Sequence, residues 1–160
     1  IDLGIPVVEA KSEAEAQCAW LNKNKLVDGV IGEDIDTLVF GGNTLVKKFT
    51  RDDIATEINR EEILSALNLT QEQFIDFCIL CGCDYTAKIP FIGPVKALQM
   101  IKSCNSIEAV IDMIQNNDKL RNKHRVPDDF NHLIARRLFV RPEVVEVTQT
   151  DLIEGEFKAE

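Results

Sequence analysis

Long apolar runs are missing from this sequence: no stretch of its 160 residues stays hydrophobic for more than a few positions. A membrane-spanning helix needs about 20 such residues, so none is expected, and no charged-then-apolar leader reads as a signal peptide. A disulfide framework is missing too. The five cysteines, Cys18, Cys78, Cys81, Cys83 and Cys104, are odd in number and lack the spacing of secreted domains. They predict reduced thiols in a soluble, intracellular protein. Positive charge is short as well, since 18 Lys and Arg against 27 Asp and Glu leave a net charge of −9. Non-specific polyanion binding draws on Lys and Arg, so a uniformly basic nucleic-acid surface is excluded.

Zinc is the chemistry that Cys78, Cys81 and Cys83 suggest by their spacing. Structural zinc takes four ligands from paired knuckles, whereas Cys78 and Cys81 fall on the apolar face of an expected helix, where cysteine acts as a small hydrophobe. His124 and His132 have no ligand-pair spacing and read as surface residues.

What is there is ordinary globular composition, 45% hydrophobic and 28% charged, enough for a sizeable core in one compact domain. The charge is also uneven. Residues 119 to 141 carry seven Lys and Arg (Lys119, Arg121, Lys123, Arg125, Arg136, Arg137 and Arg141) against Asp128 and Asp129, a local balance of +5. Such a run is usually a solvated helix face, and it is also the best candidate for a phosphate-tracking surface.

In chain order, residues 3–9 predict a strand with no earlier element to pair with, and Ile1 is not a start methionine. The chain is therefore expected to begin within a longer protein. Ser12 with Glu15 three positions on is a capping-box pattern that predicts a helix from Ser12 to about Lys23. Residues 26–31 and 37–40 read as strands. The turn Gly41-Gly42-Asn43-Thr44 joins the latter to 45–48 as a hairpin or strand pair. Helical patterning begins at Arg60: one short amphipathic helix runs through Leu67, another is capped by Thr70 and ends near Cys81 and Gly82, and Ser106 caps a third through Ile114. Between the last two, residues 89–97 form a tight connection into a helix with Pro94 at its first position. Free amides near Gly93 would suit an anion, and phosphate is the natural guest.

Two carboxylates, Asp34 and Asp36, sit one residue apart just after the apolar pair Val30-Ile31. On an extended backbone they would share a face at a strand end, which is how two oxygen ligands meet one metal. The plainer reading is a polar turn. Glu13 and Glu15, two apart on a helix, fall on nearly opposite sides. If both serve one metal cluster, one is a direct ligand and the other acts through water.

Taken together, these pieces resemble the internal domain of the flap endonuclease/XPG family of structure-specific 5′ nucleases. The matching motifs are Gly4-Ile5-Pro6 leading to Ser12-Glu13-Ala14-Glu15-Ala16, and Glu33-Asp34-Ile35-Asp36 with Thr37-Leu38-Val39-Phe40-Gly41. Further on come Gln73-Phe74-Ile75-Asp76 through Cys81-Gly82-Cys83-Asp84-Tyr85, then Ile92-Gly93-Pro94, Val126-Pro127 and Pro142-Glu143-Val144. They keep family order and spacing across residues 4–146.

The resemblance implies an α/β fold, a partial PIN-like nuclease core with a mainly parallel sheet and flanking helices. All of 1–160 would be one internal nuclease-domain fragment, with a helix–two-turn–helix element at 84–116. It implies that Glu13, Glu15, Asp34, Asp36 and Asp84 are catalytic carboxylates holding two Mg²⁺ ions, with Mn²⁺ able to substitute. Glu15 and Asp34 would serve the first ion, Glu13 partly through water, and Asp36 and Asp84 the second. Two ions about 4 Å apart can clamp the attacking and leaving oxygens of a phosphodiester, here leaving a 5′-phosphate and a 3′-hydroxyl. Five of the excess negative charges would then face metal.

Ile92, Gly93, Lys96 and Lys102 are the implied DNA-binding residues of the helix–two-turn–helix, which grips a duplex backbone without reading sequence. Family members use potassium there. Here Phe91 stands where glycine is common and Lys88 where a hydroxyl is common, and the charge of Lys88 argues against potassium while leaving phosphate binding. Val95 replaces a residue that is basic in many members.

The implied partners are branched or flapped double-stranded DNA and a missing N-terminal half carrying two more metal-binding aspartates and a basic arch. Residues 149–160 do not fit the family's sliding-clamp box, and no membrane is expected. The expected function is replication and repair, in the nucleus if the source is eukaryotic. Two rivals remain: a non-catalytic duplex-binding module of the same fold, and an acidic protein-interaction domain.

Overall fold

The computed structural model describes residues 4–48 and 54–153, which fall into two compact units. The first takes residues 1–59 and 142–160 and the second takes 60–141.

In the first unit, helix α1 (Ala14–Lys23) is followed by strand β1 (Val30–Ile31), the short helix α2 (Asp36–Val39), and strands β2 (Thr44–Lys47) and β3 (Thr56–Asn59). The sheet is small and mixed, in the order β1-β2-β3. β1 runs parallel to β2 with Val30 opposite Leu45, and β2 runs antiparallel to β3 with Thr44 opposite Asn59. Ala16, Ala19, Val30, Leu38, Val39 and Leu45 form its core. Small residues let the chain come close to α1: a Cβ on Gly42 would lie 2.9 Å from the Thr37 carbonyl oxygen and 3.3 Å from Ala19 Cα. Two buried amides finish the fit. Asn22 Oδ1 accepts from the backbone N–H groups of Asn43 (2.6 Å) and Thr44 (2.9 Å), while its Nδ2 donates to Val27 O. Gln17 exchanges a pair of bonds with the backbone of Val145, at 2.7 and 2.9 Å.

Several strand expectations change here. Residues 26–31 reduce to the two-residue β1, and residues 4–9 carry no strand. Residues 37–39 lie in a helix and Phe40 caps it, because Asp34 Oδ1 accepts from the Asp36 N–H at 2.9 Å and Ile35 turns into the α region, which starts a helix. The anticipated hairpin partner of β2 is therefore helix α2, and β2 pairs with β1 and β3. The capping box of Ser12 is replaced by Glu13 as N-cap of α1, with no side-chain cap bond.

The second unit is helical: α3 (Arg60–Leu67), α4 (Gln71–Cys81), α5 (Pro94–Cys104), α6 (Ile107–Gln115), α7 (Asp118–Lys123) and α8 (His132–Val140). The expected caps form. Thr70 and Gln73 make a reciprocal capping box on α4, and Ser106 accepts from Ala109 N on α6. Helix α4 ends at Gly82, whose φ of +114° is a glycine conformation. Phe74, Ile79, Leu80, Ile89, Ile101, Ile107, Val110 and Phe139 fill the interior.

Asp76 is buried within that interior and fully engaged. It accepts from Arg136 Nε (2.7 Å), Arg136 Nη2 (2.9 Å) and the Ile107 N–H (3.1 Å), joining α4 to α8 and to the start of α6. Arg136 reaches Glu108 at 2.6 and 3.0 Å with Nη1 and Nη2. The Arg136 hydrogen bond is the main cause that holds the Glu108 carboxyl down at about 2. Arg136 itself is raised above the usual guanidinium range, first by Glu108 and also by Asp76.

Removing the guanidinium would leave a buried, uncompensated carboxylate, so Arg136→Leu is expected to cost about 3 kcal/mol in denaturant unfolding. Glu108 contributes stability that is present above its ordinary value of 4.5 and lost as pH falls towards about 2. The Glu108→Gln variant and the parent should therefore converge in melting temperature across that acid window and differ above it.

Candidate functional site

Four of the five expected carboxylates stand at helix starts of the first unit. Glu13 is the exposed N-cap of α1 and Glu15 lies in its first turn, half-buried. Asp36 is the first residue of α2, and Asp34 lies two residues before it, exposed, its Oδ1 on the Asp36 amide. α1 and α2 pack against one another. Asp34 and Asp36 thus meet through a turn, and the shared strand face that the sequence suggested is absent: the short polar side chain competes with the strand ladder for the backbone amide. The neighbouring Glu33 is otherwise occupied, accepting from the Lys48 N–H at 2.9 Å and lying 3.9 Å from Lys47 Nζ.

Asp84 belongs to the second unit, exposed, three residues beyond the end of α4. Among the described residues no group of three or more His, Cys, Asp or Glu is gathered at metal-holding distance. The donor set is nevertheless all carboxylate oxygen, which suits a hard cation such as Mg²⁺ and not zinc. Burial pushes the Cys81 thiol up against a smaller lowering by Lys88, and pushes up the Cys18 thiol with help from the Glu15 charge.

In the second unit the turn before α5 is the other candidate. Gly93 is the N-cap of α5 and Pro94 follows at its first position. No atom lies within 4 Å of where a Gly93 Cβ would stand, so the helix start faces open space. The Ile92 side chain is buried, and its N–H donates to Ile89 O at 3.4 Å. Phe91 is exposed with φ +60°, and Lys96 Nζ donates to its carbonyl at 3.0 Å. Lys102, near the end of α5, is exposed beside a cavity of about 560 Å³ lined also by Asn68, Gln73 and Asn105. The Lys88 stem packs where a Gly82 Cβ would stand, 3.2 Å away.

Two expectations about the basic stretch change. His124 is buried, with Nδ1 2.9 Å from the Pro90 carbonyl, because the chain after α7 folds under the 89–93 turn. His132 is largely covered, stacked on Phe130 with Nε2 3.4 Å from Glu108. Arg136 is committed to carboxylates and the exposed Arg121 pairs with Asp118 at 2.6 Å, and Lys119, Lys123, Arg125, Arg137 and Arg141 are exposed as well. The role of His124 gave no sequence signal, since a lone histidine after a basic helix looks like solvent-facing polarity. The Asp76–Arg136 pair was signalled only by an acid in an apolar helical pattern.

Comparison with known proteins follows the same lines. The XPG I-region model matches residues 4–84. Flap endonuclease 1 of Plasmodium chabaudi chabaudi is 41% identical over 94% of this chain, and the chain spans about a third (33%) of that relative's length. The catalytic core of Rad2 in complex with DNA substrate superposes with a TM-score of 0.83 at 31% identity, covering 96% of this chain and 54% of that one. Flap endonuclease-1 from Methanococcus jannaschii gives 0.73 at 27% identity, over 89% of this chain and 41% of that one. The helix-rich architecture with its small mixed sheet is that of the same nuclease core, in part. The chain belongs to the XPG I-region family.

Proposed function

We propose that this chain supplies the internal half of a Mg²⁺-dependent, structure-specific 5′ nuclease acting on branched or flapped DNA. The observation that carries the reading is the position of the acids. All five carboxylates lie inside the matched family region, and two pairs stand at the starts of two helices that pack together. Glu13, Glu15, Asp34, Asp36 and Asp84 would hold the metal, with a preceding part of the protein supplying further ligands. Bound magnesium would polarise the scissile phosphate and ready water for attack.

The chain's own residues would do the rest. Asp34 fixes the Asp36 backbone through its 2.9 Å bond and so sets the direction of the second acid. The start of α5 would take a DNA phosphate on its free amides, and Gly93 lets the backbone come close. Lys96 and Lys102 would add charge without base readout. Potassium is not required at this turn, because Lys96 already donates to the Phe91 carbonyl. Replication and repair of DNA, in the nucleus of a eukaryotic cell, are the processes this activity would serve.

In the protein completed by its N-terminal region, Asp34→Asn and Asp84→Asn should each lower cleavage of a labelled 5′-flap DNA by about 100-fold or more while sparing most binding. Equal loss of binding and cleavage would contradict the assigned roles, and binding without cutting by the parent would favour a non-catalytic module. Gly93→Ala should leave the melting temperature within about 2 °C, since its φ of −112° and its surroundings accept a methyl, yet weaken duplex binding. Duplex affinity should be the same in KCl and NaCl at equal ionic strength.

A further inference from the structure

The turn from Pro90 to Gly93 is held from below by the segment that follows α7. His124 Nδ1 lies 2.9 Å from the Pro90 carbonyl oxygen, and that oxygen can only accept, so Nδ1 carries the proton. Two further ties hold the same loop: Thr86 Oγ1 donates to Asp129 O at 3.3 Å, and the Tyr85 ring meets Phe139 edge-on at 5.1 Å. On the other side Lys96 Nζ takes the next carbonyl, that of Phe91. Consecutive carbonyls of the turn are thus both satisfied by side-chain donors. A turn offered to an anion needs this arrangement, because a carbonyl left free at the mouth would repel phosphate.

His124 is only 2% exposed, so it cannot itself touch DNA. Its neighbours Lys123 and Arg125 are exposed on either side of it. We propose that His124 is the positioning residue of the phosphate-binding turn: its Nδ1–H, by holding the Pro90 carbonyl, turns the amides ahead of α5 outward and seats Lys123 and Arg125 beside them. The proposal rests on the DNA-binding reading above.

The test compares His124→Asn with His124→Leu in the full chain, using a fluorescein-labelled duplex DNA over a series of salt concentrations. Both variants replace the ring with a short side chain branched at Cγ, but only asparagine keeps an N–H near the place of Nδ1. Leucine is expected to bind about fivefold more weakly than asparagine, the worth of one ordinary hydrogen bond, at matched melting temperatures. Asparagine should stay within about twofold of the parent. Equal affinity of the two variants would overturn the proposal, because the donor would then make no difference to binding. A parent chain whose binding is absent or insensitive to salt would instead overturn the DNA-binding reading, and the inference with it.

Discussion

A buried carboxylate that cannot be left alone organises the second unit. Asp76 sits 4% exposed inside a helical core, where an unpaired charge costs several kcal/mol, so its neighbours must supply donors. Arg136 supplies two and the start of α6 supplies the Ile107 amide, which ties three helices at one atom group. Glu108 then completes the guanidinium from the outer side. The constraint also decides what the basic stretch can do: its most structured arginine is spent on the core, and charge available to a partner is left to Lys119, to the flanks of His124 and to Arg137 and Arg141.

The first unit solves a different problem with neutral groups. Its sheet is short, and its helices approach closely, so the gaps at strand and helix ends are closed by two amide side chains that satisfy backbone groups in pairs. Ala16, Ala19 and Gly42 give the room. Holding α1 and α2 in this way keeps their N-terminal acids fixed on a rigid base, which is what an ion-binding set needs if it is not to lose affinity to side-chain and backbone motion.

The sequence made the punctuation of the fold legible. Thr70 with Gln73, Ser106, Pro94 and Gly82 act locally, through bonds to amides a few residues away or through fixed φ, and all four stand where their chemistry puts them. The strands were not legible to the same degree. β1 has two residues and β3 is a half-exposed Thr-Glu-Ile-Asn, so neither shows an alternation long enough to read. Residues 37–40 are an apolar run too short to separate strand from helix, and a single bond from Asp34 decided it. The acids of the candidate site were readable as residue types and, through family motifs, as a set. Their distribution over two units was not, because it depends on long-range packing. His124 was misread for the same reason: its burial comes from a loop 34 residues away.

The measurement closest to the central claim is a Mn²⁺ titration of the protein followed by paramagnetic broadening of its backbone amide signals. The account predicts early, joint broadening of residues 13–15, 34–36 and 84, reversed by excess Mg²⁺. Broadening centred elsewhere, or confined to scattered surface acids and untouched by Mg²⁺, would contradict it.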